Sequence, residues 1–125
     1  MKILTVLCQK GGVGKTTFVV NLGKLLSHKG YKTLLIDTDP QGNVSTYLNF
    51  DKNSKTVLSA TDLFENRLDK EITKVSENLY LIPSNKSIIK HSSEKIIGGS
   101  KLFKHKNFLN EKGFDLVLIL SLIHI

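Results

Sequence analysis

The chain has 125 residues, 18 basic and 11 acidic side chains and a formal net charge of +7, and this length suits a single domain. Its 40% hydrophobic and 23% charged content is ordinary for a globular protein, while its single cysteine, Cys8, excludes an internal disulfide framework and a cysteine-based cluster. The positive charge favours polyanionic partners such as nucleotides or nucleic acids, although a solvated lysine-rich surface would give the same total.

The first predicted elements are a strand and a helix. Residues 3–7 form a near-continuous apolar run, as in a parallel strand that is covered on both faces. A helix is predicted over about residues 16–29, with Gly30 as its C-cap. Its apolar stripe is predicted to consist of Phe18, Leu22, Leu25 and Leu26. No signal peptide is expected ahead of the strand, and no segment is expected to span a membrane.

A glycine-rich turn, residues 10–17 (KGGVGKTT), lies between this strand and this helix. Glycines let successive backbone N–H groups point inwards, and the helix adds the positive end of its dipole, so the arrangement predicts a phosphate cradle. Lys15 would reach the β- and γ-phosphates, and Thr16 would offer its hydroxyl to Mg²⁺. Lys10 adds a second positive charge. The predicted nucleotide-binding residues are Gly11, Gly12, Val13, Gly14, Lys15, Thr16 and Thr17.

The second predicted strand, residues 32–36, leads directly to Asp37. Because parallel strands end at the same edge of a sheet, Asp37 and Asp39 are expected beside the glycine-rich turn. One carboxylate can hold Mg²⁺ and the other can orient the attacking water, or one of them only caps the following turn. Asn43 is predicted to cap a short helix over residues 44–48.

The two motifs together resemble those of the ParA/MinD ATPases. Residues 10–17 are similar to the deviant Walker A motif of that family, with Lys10 as its signature lysine, and residues 37–43 are similar to the second motif of the ParA branch. The resemblance extends from residue 2 to about residue 117. It implies an α/β fold of the P-loop NTPase kind, with a parallel sheet and flanking helices, in a truncated form with three to four strands.

The resemblance also implies cofactors and residue roles. ATP and Mg²⁺ are the expected cofactors. Lys10, Lys15 and Asp39 are the expected catalytic residues: Lys10 would reach the nucleotide of a partner subunit, Lys15 would neutralise phosphate charge and Asp39 would position the water. Thr16 and Asp37 are expected in the metal shell.

Later segments carry weaker signals. Residues 57–64 have a helical pattern, residues 72–75 form either a brief strand or an irregular connection, and residues 79–82 form a buried strand. Residues 86–112 are basic and weakly helical, which fits a solvated helix face better than a nucleic-acid patch. The histidines lack the spacing of metal ligands and are predicted at the surface: His28, His91, His105 and His124.

The last predicted strand, residues 114–119, resembles the strand that carries the Walker B motif. Leu120, however, occupies the position of an aspartate that belongs to the Mg²⁺ shell in the family, and the second half of the family's domain does not follow. We therefore predict that residues 1–119 are the N-terminal part of a ParA-like ATPase domain. Residues 120–125 are predicted to be an atypical tail that arose by truncation or from foreign sequence.

The family resemblance implies a cytoplasmic, nucleoid-associated partition protein for plasmids or chromosomes. Such a protein would form a homodimer with ATP, bind DNA non-specifically, respond to a centromere-binding partner and need no membrane. The absent carboxylate and half-sheet predict an incomplete copy that is marginally stable and has weak or no ATPase activity. Three alternatives remain: a MinD-like cell-division regulator, a nitrogenase-type iron protein, for which the chain has too few cysteines, and a non-catalytic nucleotide-binding regulator.

Overall fold

A five-stranded sheet with flanking helices is formed by the residues that the computed structural model describes, which are 1–9, 13–48, 56–91 and 105–123. Its strands are β1 (Lys2–Gln9), β2 (Thr33–Asp37), β3 (Thr73–Ser76), β4 (Leu79–Ile82) and β5 (Leu116–Ile123). Its helices are α1 (Val13–His28), α2 (Asn43–Tyr47), α3 (Ala60–Phe64) and α4 (Lys106–Glu111), with a 3₁₀ helix at Lys86–His91.

The strand order is β1-β5-β2-β4-β3, and every neighbouring pair is parallel except β3 with β4. This arrangement confirms the predicted α/β class with a mostly parallel sheet. The described residues contain five strands, however, where the sequence predicted three to four. The fifth strand is β3, where the sequence left a brief strand and an irregular connection over residues 72–75 as alternatives. A turn at Asn78, with a positive φ of 62°, precedes β4, which runs antiparallel to β3.

The two faces of the sheet carry separate apolar clusters, because successive side chains of a strand point in opposite directions. On β5, Val117 and Ile119 pack into the cluster that includes α3 and α4, while Leu118 and Leu120 pack into the cluster beneath α1. β2 is buried along its whole length. The central strands therefore have the double coverage that a parallel sheet requires.

The expectation that β1 is covered on both faces is confirmed only in part. β1 pairs only with β5 among the described residues and is the edge strand of the sheet. Ile3 and Val6 pack against the two clusters, but Leu4 and Leu7 remain 49% and 38% exposed. An apolar run predicts a strand, but whether both faces are covered depends on what lies beside it.

The predicted apolar stripe of α1 is also wrong in part. Phe18 and Leu25 are more than half exposed, and the residues that face the sheet are instead Val19, Val20 and Gly23. The helix lies close to the sheet at Gly23, where an added Cβ would come within 2.8 Å of a Leu35 methyl group. Leu22 and Leu26 are partly buried, as expected for the predicted stripe.

Gly30 ends α1 as predicted. Its φ of 97° lies in the left-handed region that favours glycine, and its N–H donates to the carbonyl of Ser27 at 3.0 Å. The Tyr31 N–H donates to the carbonyl of Leu26, which completes the C-terminal cap. This turn directs the chain into β2.

α3 begins later than the helical pattern at residues 57–64 predicted, because Ser59 is its N-cap. The Ser59 hydroxyl accepts the N–H of Asp62, and the Asp62 carboxylate accepts the N–H of Ser59 at 3.0 Å, which forms a capping box. Asp62 also pairs with Arg67 at 3.1 Å and Lys70 at 3.3 Å.

The surface prediction for the histidines is confirmed for His28 and wrong for His105. His105 is 5% exposed, and its Nε2 lies 2.7 Å from the carbonyl oxygen of Leu63. This contact joins the segment before α4 to the end of α3. The side chains of His91 and His124 lie outside the described residues.

Candidate functional site

The carboxyl edge of the sheet brings the two predicted motifs together. β1 and β2 both run parallel to β5, which lies between them, so both strands end at the same edge. α1 begins at Val13, shortly after the end of β1, and β2 ends at Asp37. Lys10, Gly11 and Gly12 lie outside the described residues, so their predicted roles stay predictions.

The first turn of α1 carries the described part of the glycine-rich motif. Thr16 is 2% exposed, whereas Gly14 and Lys15 are exposed. A Cβ added at Gly14 would meet no atom within 4 Å among those compared, so packing against the described residues does not require glycine there. Open space beside the positive end of a helix is suited to an anion.

Asp37 is fully buried at the end of β2. Its Oδ1 accepts the N–H of Asp39 at 2.9 Å, and its Oδ2 accepts the N–H of Val44 at 3.3 Å. These contacts make Asp37 a cap for the following turn, which was one of the two alternatives for this residue.

The prediction that Asn43 caps α2 is wrong. α2 begins at Asn43 itself, and its N-cap is Gly42, in the left-handed region with a φ of 65° and no side-chain capping bond. The carboxylate of Asp37 takes over this role from outside the helix by accepting the N–H of Val44. The cap therefore comes from a residue seven positions upstream.

Asp39 lies in the turn after β2 and is 8% exposed. Its Oδ1 accepts the N–H of Gln41 at 3.0 Å, and its backbone carbonyl accepts the N–H of Gly42 at 2.9 Å. Within the described part of the chain, no hydrogen bond to its Oδ2 is found. A carboxylate held on one oxygen and open on the other is suited to orienting a water molecule.

A contact between Thr17 and Tyr47 links the two motifs directly. The hydroxyl oxygens of these residues are 2.6 Å apart, within the range of a strong O–H···O hydrogen bond. Thr17 is the fifth residue of α1, and Tyr47 is the last residue of α2. Nothing in the sequence around Tyr47 singles it out, because its partner lies 30 residues away.

Leu120 is the direct neighbour of Asp37 in the register between β2 and β5. The N–H and hydroxyl of Thr38 both donate to the Leu120 carbonyl, at 3.0 and 2.8 Å. The Leu120 side chain is fully buried in the cluster beneath α1. An alkyl group therefore occupies the place beside Asp37 where the family resemblance implies a carboxylate.

Other features of the described residues lie apart from this edge. A cavity of about 380 Å³ lies towards the amino ends of the strands, beside Lys32, Tyr80 and Phe114. The ammonium group of Lys32 there lies 5.1 and 4.9 Å from the centres of the two rings. The described residues contain no group of three metal-ligating His, Cys, Asp or Glu side chains, and no helix among them is long and apolar enough to cross a membrane.

Comparison with known proteins supports the sequence interpretation of these motifs. The profile of the AAA_31 family, described as an AAA domain, matches residues 1–120. The chain belongs to the AAA_31 family. This match takes in both motifs and most of the described sheet.

Two curated relatives show how the AAA_31 chain compares with longer proteins. An uncharacterized protein of Methanocaldococcus jannaschii is 34% identical over 128 residues, which cover 95% of this chain and 49% of that protein. The chromosome-partitioning ATPase Soj of Treponema pallidum is 60% identical over 47 residues, which cover 38% of this chain and 19% of that protein. The chain thus spans about half the length, or less, of these relatives.

Solved structures support the same family. A plasmid partition protein of Borrelia burgdorferi bound to AMPPNP superimposes with a TM-score of 0.72 and 31% identity, covering 97% of this chain and 53% of that one. Cobyrinic acid a,c-diamide synthase of Mycobacterium smegmatis, with a bound ATP analogue and magnesium, superimposes with a TM-score of 0.75 and 28% identity. The match covers 95% of this chain and 50% of that one. The resemblance to ParA-type partition ATPases is confirmed; the first of these neighbours has AMPPNP bound, and the second has an ATP analogue and magnesium bound.

Proposed function

We propose that this AAA_31 chain binds MgATP at the carboxyl edge of its sheet, as the N-terminal part, residues 1–119, of a ParA-type partition ATPase. The observation that carries the proposal is the meeting of two motifs at one edge. The first turn of α1 supplies Lys15 and Thr16, and the turn after β2 supplies Asp37 and Asp39. The solved neighbours with bound nucleotide support this proposal.

The residues present fit both parts of MgATP. Hydroxyl and carboxylate oxygens are the hard ligands that Mg²⁺ prefers, so Thr16 and Asp37 would hold the ion or its water shell. The open space at Gly14 leaves room for phosphate beside the amide groups of the turn. When bound, Mg²⁺ would neutralise part of the phosphate charge.

The residues of the chain would divide the remaining work of phosphoryl transfer to water. Lys15 would stabilise negative charge on the phosphates, and Thr17 would support the turn. Asp39 would orient the attacking water through its open oxygen. Lys10 would complete the charge balance at the nucleotide of a partner subunit, in the homodimer that the family resemblance implies. Positioning and charge neutralisation of this kind account for most of the catalysis of such reactions.

Leu120 favours binding without efficient hydrolysis. Its buried alkyl side chain lies where a second carboxylate would support the metal shell, so we expect weak or no turnover. A second candidate function follows: a non-catalytic nucleotide-binding regulator that pairs with complete copies of the family. DNA binding and stimulation by a centromere-binding protein would then belong to the complete partner.

Calorimetric titration with ATP in the presence of Mg²⁺ tests the proposal. Lys15→Ala is expected to weaken binding at least tenfold, because it removes a charge-assisted phosphate contact. Lys24→Ala is the matched control, since Lys24 is also an exposed lysine of α1 but lies two turns further on. Equal affinity of the wild-type protein and Lys15→Ala would refute the nucleotide site.

A phosphate-release assay on the same proteins separates the two candidate functions. Binding without turnover above the Lys15→Ala background would support the regulator. Turnover comparable with that of a complete relative would overturn the expectation that Leu120 disables hydrolysis.

A further inference from the structure

The hydrogen bond between Thr17 and Tyr47 joins the phosphate side of the candidate site to its acidic side. The two hydroxyl oxygens are 2.6 Å apart, and either can be the donor. Tyr47 is 47% exposed and lies outside both sequence motifs. Neither sequence motif therefore predicts a role for Tyr47.

Tertiary contacts hold α2 at both of its ends. At its start, the N–H of Val44 donates to Asp37, and the side chain of Val44 packs into the cluster beneath α1. At its end, Tyr47 contacts Thr17. A helix of five residues is too short to be stable alone, so these contacts fix its position relative to α1. The placement of the turn that carries Asp39 depends on them.

We infer that Tyr47 is a positioning residue of the nucleotide site: its hydroxyl shares a hydrogen bond with that of Thr17 and thereby holds α2, and with it the acidic turn, against the start of α1. This inference rests on the proposed function, because it takes MgATP as the ligand of the site. Tyr47 itself does not touch the reacting atoms.

Titration of MgATP into Tyr47→Phe tests the inference, since this change removes only the hydroxyl. We expect affinity to fall about threefold to tenfold, the range for one lost hydrogen bond between neutral groups. Tyr31→Phe is the matched control, because Tyr31 is 48% exposed and its hydroxyl has no hydrogen bond among the described residues. Affinity of Tyr47→Phe equal to that of the control would overturn the inference.

A double-mutant cycle with Thr17→Val separates positioning from a general loss of packing. Tyr47→Phe should weaken MgATP binding in the wild-type background and have no further effect when Thr17 is already valine. Thr17→Ser keeps a hydroxyl at this position and should restore the sensitivity to Tyr47→Phe. Equal effects of Tyr47→Phe in the threonine and valine backgrounds would contradict the link.

The same cycle measured by urea unfolding without nucleotide distinguishes failure of this inference from failure of the proposed function. If the wild-type protein does not bind MgATP, the proposed function fails. The unfolding data then test only whether the hydrogen bond between Thr17 and Tyr47 links α1 to α2. Non-additive unfolding midpoints would then support a link between α1 and α2, and additive midpoints would overturn it.

Discussion

At the scale of single residues, Asp62 shows how a buried charge is accommodated away from the candidate site. It is 2% exposed, and burial by itself raises the pKa of its carboxyl group. The N–H and hydroxyl of Ser59, together with Lys70, outweigh this effect and hold the pKa below its ordinary value. Arg67 pairs with the same carboxylate and also with Glu65. The carboxylate thus connects the start of α3 to the segment that follows it.

The lowered pKa predicts how stability depends on pH. Because the pKa is lower in the folded than in the unfolded state, the stabilisation is complete above the ordinary value of about 4 and is lost as the pH falls through the folded value. Asp62→Asn should lower the free energy of unfolding by about 2 kcal/mol at pH 7. Below about pH 4 the difference between the variant and the wild-type protein should be smaller. Urea unfolding at pH 7 and pH 3 measures both effects.

Asp69→Asn is the control for this prediction, because Asp69 is an exposed carboxylate in the same segment. It should change the unfolding free energy by less than about 0.5 kcal/mol, as is usual at exposed positions. An Asp62→Asn variant with wild-type stability at both pH values would show that the capping box and its ion pairs contribute nothing net.

At the scale of elements, the packing of α1 on β2 depends on a glycine. Gly23 is buried, and an added Cβ would meet a methyl group of Leu35 at 2.8 Å. Gly23→Val should therefore destabilise the fold by about 1–3 kcal/mol through overpacking. Gly14→Ala provides the contrast: with open space around it, this change should leave stability unchanged or raise it by up to about 1 kcal/mol through helix propensity. Thermal unfolding of both variants is the measurement, and equal losses would contradict the packing argument.

The exposed edge of β1 leads to a second prediction at this scale, which concerns self-association of the chain. Unpaired strand edges with apolar side chains promote pairing between chains, and Leu4 is 49% exposed on this strand. Leu4→Lys should reduce self-association in sedimentation experiments and move the average mass towards the 14.0 kDa of one chain. Ile89→Lys is the control, because Ile89 is equally apolar and 55% exposed but lies in the 3₁₀ helix. A similar effect of both changes would point to net charge as the cause.

At the scale of the whole molecule, Leu120 packs into the core at the position beside Asp37 where the family resemblance implies a carboxylate. Leu120→Asp should destabilise the protein by about 3–5 kcal/mol, because it places an unpaired carboxylate in an apolar cluster. MgATP should recover more stability for this variant than for Leu120→Asn, which has the same shape without the charge. Unfolding temperatures with and without MgATP test this difference. An equal shift for the two variants would argue against a metal shell beside Asp37.

The sequence alone determined the local chemistry of this protein and the order of its main elements. The glycine-rich turn between an apolar run and a helix, and the second strand that ends at Asp37, were both readable because glycine freedom, apolar periodicity and turn residues act over a few positions. These features predicted the placement of the two motifs at one edge, and the family resemblance implied the fold class. The family resemblance added expected roles for residues such as Lys15 and Asp39.

Only the tertiary structure decided which surfaces are covered and which distant residues meet. The apolar arc of α1 is wider than its contact with the sheet, so periodicity could not show that Gly23 faces inwards while Phe18 faces outwards. The edge position of β1, and the bond from Tyr47 to Thr17, depend on partners many residues away. A local pattern fixes the period of an element, but its neighbours are chosen by packing of the whole chain, and that is why the sequence alone could not reveal them.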